Sequence, residues 1–71
     1  MSTNVTSTAL AAALRRELLR LARAEDDQAC TEAAKVPYWA SYPPSVLGHR
    51  AAAAILRADA DRFLATADSA S

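Results

Sequence analysis

The chain has 71 residues, 8 of them basic and 8 acidic, with one histidine and one cysteine. That length admits a single small domain near the size at which a lone core is barely stable. One cysteine excludes an internal disulfide, and zero net charge leaves no global field to draw in nucleic acid or an anionic membrane.

Residues 1–7 are short and polar and read as a frayed lead-in, with Thr6, Ser7 or Thr8 placed to cap the helix that follows. The same N-terminal segment is Ser/Thr-rich and Arg-bearing in the manner of a transit peptide. Its removal would leave too little chain to fold, so a capped helix is the better reading. From Ala9 the residues are strong helix formers, and neither Pro nor Gly intervenes before Pro37. Leu10, Leu14, Leu18 and Leu21 recur at helical spacing and make one apolar stripe. Beyond Ala24 that stripe would run into Glu25, Gln28 and Glu32, whereas the neighbouring strip of Ala22, Ala29, Ala33 and Val36 stays small and apolar. The helix is therefore predicted to continue to about residue 35 with its contact face shifting toward the alanines, since nothing in "AEDDQ" breaks it. Cys30, among small residues, reads as a small hydrophobe, and a lone thiol fits a cytoplasmic protein.

Pro37 ends this helix, because the residue before a proline is pushed out of the α region. The stretch "VPYWASYPPS", residues 36–45, holds the single Trp, both Tyr and all three Pro. A hinge with Trp39 folded back over the end of the helices is the favoured reading. The alternative makes Tyr38, Trp39 and Tyr42, with Arg50 close by, exposed anchors for a partner, since these residue types dominate interface hot spots. A second helix then starts with Pro44 in its first turn, or Ser45 as its cap, and runs to about residue 67. Gly48 lies in its first turns, where a close approach to the linker or to the first helix would explain it. Residues 68–71 read as a polar tail.

This second helix has two apolar faces. Leu47, Ala51, Ala54, Ile55, Ala58 and Ala65 form one; Val46, Ala52, Ala53, Leu56, Ala60, Phe63, Leu64 and Ala67 form the other, wider one. One partner helix covers one face, so something else must cover the second. The expected fold is all-α: an antiparallel hairpin of helices at about 8–35 and 44–67, filling the single domain 1–71 and completing a four-helix bundle by self-association or by docking on a partner.

Motifs that carry chemistry are missing. A single glycine excludes the Gly-rich phosphate loops, and there is no H-E-x-x-H, paired-cysteine or nucleophile-elbow pattern. Glu25, Asp26, Asp27 and Glu32 together with His49 are metal-ligand types, but the Glu-x-x-His spacing of helical carboxylate sites is absent. His49 reads as a partly exposed helix residue. No catalytic residue, cofactor or metal is expected. The longest uncharged apolar run, "AAAAIL", is far too short to span a bilayer. Arg15, Arg16, Arg20 and Arg23 form a ridge able to meet phosphates, and the acidic run behind it argues for an ordinary solvated face. The chain therefore reads as a non-enzymatic interaction module (an adaptor, small subunit or inhibitor) that binds itself or a larger protein through Tyr38, Trp39, Tyr42, Arg50, Leu56, Phe63 and Leu64. A dimeric nucleic-acid regulator using the four arginines is the alternative. The Ala-, Arg- and Asp-heavy composition is that of a GC-rich coding sequence, as in many bacteria and their phages.

Overall fold

A computed structural model describes the backbone of residues 2–69 and the side chains of residues 7–63. Helix α1 spans Ser2–Ala33 and helix α2 spans Pro44–Ser69, and the two pack along their lengths as an all-α hairpin. The rod measures 59 × 14 × 13 Å. Helix α1 thus begins at Ser2, ahead of the expected Thr6–Thr8 cap. No breaker stands between Ser2 and Ala9, and the propensity cost of Ser, Thr and Val is only tenths of a kcal/mol each.

At its other end α1 tightens into narrower turns, with Lys35 N–H donating to the Glu32 carbonyl at 3.2 Å and Val36 N–H to Ala33 at 3.1 Å. A separate turn closes where Ala40 N–H donates to the Pro37 carbonyl at 3.0 Å, leaving Tyr38 and Trp39 at its two central positions. Pro44 then opens α2 at the first helical position, where its missing N–H is not needed.

The core is an alanine seam. Among the described residues Ala11, Ala22, Ala29, Val46, Ala53 and Ala60 are the buried apolar ones. They belong to a strict seven-residue pattern: Ala11, Leu18, Glu25 and Glu32 with Arg15, Ala22 and Ala29 on α1, continued by Val36 just past its end, and Val46, Ala53 and Ala60 with His49, Leu56 and Phe63 on α2. Every one of these side chains is buried or half-buried, as expected of the inner positions of an antiparallel coiled coil. Small residues on both sides let the helix backbones approach closely.

Several expectations change here. The leucine stripe is not the contact face: only Leu18 is shared with the seam, while Leu10, Leu14 and Leu21 are exposed. On α2, the face that α1 covers is the wider one, so Leu56 and Phe63 are half-buried in the hairpin, and the face carrying Leu47 and Ile55 is left open. Gly48 faces solvent, and a Cβ there would meet nothing within 4 Å, so close approach does not explain it. Cys30 is exposed, not packed as a small hydrophobe. No helix among the described residues is long and apolar enough to cross a membrane.

Candidate functional site

The linker end of the rod is built by its turn. Because Tyr38 and Trp39 occupy the centre of the Pro37–Ala40 turn, their side chains project outward: Tyr38 is 99 % exposed and Trp39 75 %. Trp39 therefore does not fold back over the hairpin. Tyr42 is about half exposed, and the Arg50 guanidinium stacks over its ring, 5.1 Å from the centroid, a favourable cation–π distance. The segment from residue 33 to residue 58 carries Lys35, His49, Arg50 and Arg57 and no Asp or Glu. His49 and Arg57 are matched by Glu25, Glu32 and Asp26 across the seam, so Lys35 and Arg50 are the cations left beside the aromatic cluster.

Just inside this end, His49 reaches across the seam between two carboxylates. Protonated, it donates from Nδ1 to Glu25 Oε2 at 2.5 Å, and its Nε2 faces Glu32 Oε1 at 3.5 Å. The bond to Glu25, helped by the charges of both carboxylates and opposed by desolvation, raises the His49 pKa above its ordinary 6.5. The Ser45 hydroxyl, then the Gln28 amide, hold the Glu32 carboxyl below its ordinary 4.5, with the His49 charge a smaller contribution. His49, Glu25 and Glu32 are each half-buried, and Ser45 and Gln28 are exposed beside them. Among the described residues no group of three His, Cys, Asp or Glu is arranged to hold a metal ion.

The two flanks of the seam differ. One is closed by an ion pair between Arg57 of α2 and Asp26 of α1. The other carries Leu14 and Leu21, with a hollow lined by Leu14, Leu18, Asp59, Arg62 and Phe63. Leu10 and Ile55, 58 % and 63 % exposed, border the same flank by their helical positions.

Of the residues singled out from sequence, Tyr38, Trp39, Tyr42 and Arg50 share one accessible end. Leu56 and Phe63 do not join them: they face α1, and Phe63 reaches the surface only through the flank hollow. The side chain of Leu64 lies outside those described. The arginine ridge is broken up. Arg15 is half-buried at a seam position, and Arg20 is held by Glu17, its Nε donating to Glu17 Oε2 at 3.0 Å. That bond holds the Glu17 carboxyl low and raises Arg20. Arg16 and Arg23 remain on the surface beside Leu19. Sequence reasoning missed the exposure of Leu14, Leu21 and Ile55 and the bridging role of His49; the seven-residue spacing of the alanines was the signal for both. Compared with protein-family models, curated proteins and solved structures, the chain matches none of them.

Proposed function

We propose that this chain is a non-enzymatic protein–protein interaction module, an adaptor, small subunit or inhibitor, whose principal docking element is the linker end. One observation carries this reading: Tyr38 and Trp39 are displayed on a hydrogen-bonded turn, the first fully and the second three-quarters exposed, in a chain whose own core is built from alanine. An exposed Trp–Tyr–Arg group held by a short stiff loop loses little conformational freedom on binding. The surrounding Lys35 and Arg50 favour an acidic partner surface around an apolar recess. The lone thiol of Cys30 fits a reducing compartment such as the cytoplasm, and self-association belongs to the same reading.

The test is a comparison of the wild-type chain with Tyr38→Ala/Trp39→Ala as baits, followed by titration of the purified captured protein. Both aromatic positions are off the helix seam, so the variant should keep its helical spectrum and its affinity should fall by about tenfold or more. Equal binding by both baits sinks the reading.

A further inference from the structure

The geometry points to a second copy of this chain as the occupant of the open leucine flank, docked antiparallel so that two hairpins form a four-helix rod with one aromatic linker at each end. The inference deepens the reading of the chain as an association module and rests on it, but it concerns a different surface.

The flank's apolar character is not needed for the hairpin. Leu14 and Leu21 stand one residue before the seam positions Arg15 and Ala22, and on α2 Ala52 and Asp59 stand one residue before Ala53 and Ala60. The hollow that unites Leu14, Leu18, Asp59 and Phe63 confirms that these positions of the two helices share a side. The opposite flank is closed by the Asp26–Arg57 pair, and its Leu19 is half-buried in a hollow lined by Arg16, Arg20 and Arg23, so the two sides are not equivalent: the open one is the side on which Leu14 and Leu21 stand exposed.

Three observations select a copy of the same chain over another occupant. The first is size: one flank of a rod 59 Å long and 14 Å wide offers on the order of 800 Å² per partner, the area a standard stable interface uses. The second is symmetry. Leu14 and Leu21 are two turns apart on one line, so a twofold axis between them sets Leu14 against Leu21 of the second copy and buries both pairs at once. The third is charge. Over both helices the linker half, residues 25–57, carries Glu25, Asp26, Asp27 and Glu32 against Lys35, Arg50 and Arg57, while the far half of the described residues carries Arg15, Arg16, Arg20, Arg23 and Arg62 against Glu17, Asp59 and Asp61. An antiparallel copy lays each basic far half beside the more acidic linker half, and a parallel copy brings the two basic halves together. A seam of five alanines and one valine is also the thin core that chains of this size supplement by oligomerisation.

The consequence is a bivalent particle. Antiparallel docking sends the two Tyr38–Trp39 turns to opposite ends, so one dimer offers two separated linker sites, and a partner with two matching recesses binds with increased avidity.

The experiment is sedimentation equilibrium across a dilution series from the micromolar range upward, on the wild type and on Leu14→Asp/Leu21→Asp. Far-UV circular dichroism runs alongside, because the two leucines are exposed and their replacement should leave the hairpin helical. The wild type should show twice the 7.5 kDa chain mass, and the variant should dissociate at a concentration at least about tenfold higher. Orientation is read from spin labels at Tyr38→Cys in a Cys30→Ser background. At 1.5 Å per residue the antiparallel rod separates the two labels by on the order of 50 Å, and a parallel one brings them within roughly 30 Å. A wild type that stays monomeric, a variant that associates as the wild type does, or the short label distance each overturns the proposal. None of these results touches the linker-end reading, which stands or falls on Tyr38→Ala/Trp39→Ala.

Discussion

Replacing Ala53 by Leu is the sharpest probe of the alanine seam. Ala53 is fully buried, and it lies between His49 and Arg57 on α2, whose partners Glu25 and Asp26 are neighbours on α1. It therefore faces the α1 turn that runs from Glu25 to the buried Ala29. Leucine adds three carbon atoms at a point where both backbones approach closely because neither side chain extends beyond Cβ. Overpacking of this kind costs about 1–3 kcal/mol, and pushing the helices apart also lengthens the His49–Glu25 and Asp26–Arg57 pairs on either side. A domain of this length has on the order of 4–10 kcal/mol of stability in total, so a loss of about 2 kcal/mol is a large share of it. The expected result is a urea midpoint shifted well down with an unchanged m-value, and a melting temperature lower by about 10 °C. Both proteins are compared at one concentration, because association couples to stability. A neutral or stabilising Ala53→Leu would mean that the helices have room at the seam and that the leucine stripe, not the alanines, is the contact face.

Gly48→Ala should act in the opposite direction. The added Cβ meets nothing within 4 Å and the backbone is ordinary helix, so the variant should gain about 0.5–1 kcal/mol by urea titration; a loss would reveal a contact at that position. Stability should also depend on pH through the His49 cluster. The His49 pKa is raised above 6.5 on folding, so its contribution is complete below that value and is lost as pH rises through the folded pKa. The Glu32 pKa is lowered below 4.5, so its contribution is complete above that value and is lost as pH falls through the depressed pKa. The urea midpoint should therefore be highest between about pH 4.5 and 6.5, and His49→Gln should flatten the alkaline limb; an identical profile for the variant would remove the cluster from the account. Trp39, as the single indole, should be quenched by acrylamide readily, in dilute and in concentrated protein alike. Strong protection at low concentration would mean that the ring folds back on the hairpin after all.

Much of the backbone was legible because its determinants are local. Pro37 and Pro44 each act on their own neighbours: α2 opens at Pro44 as expected, and α1 ends at Ala33, two residues short of the expected 35, because the chain tightens into turns at Lys35 and Val36. Which face each helix turns inward was harder. On α1 the leucine and alanine strips share the same spacing and even share Leu18, and a hydrophobicity scale prefers leucine. The seam runs instead along the strip that stays compatible over the whole helix, and the leucine strip fails at Gln28, which is exposed. On α2 the wider face was identifiable, but nothing local said that α1 would be the element to cover it. The outward aromatics follow from one turn bond, Ala40 to Pro37, which depends on the backbone path through the linker and not on the identity of Trp39.

An alanine seam also has a weakness that explains the polar residues within it. Ala22 and Ala29 repeat after seven residues, as do Ala53 and Ala60, so sliding one helix past the other by seven residues would still set alanine against alanine. Packing alone therefore discriminates poorly between registers. His49 does not repeat in this way, since Leu56 stands seven residues after it. With His49 between two carboxylates seven residues apart, both half-buried acids share one cation. A slip by one heptad in either direction leaves one of them without it, and pulls Arg57 about 10 Å from Asp26. The cost of an unpaired, partly desolvated carboxylate then separates the registers that the alanines leave nearly equal. The placement of His49, Glu25 and Glu32 at inner positions of a small hairpin is thus accounted for by register, and the leucines, freed from that task, remain outside.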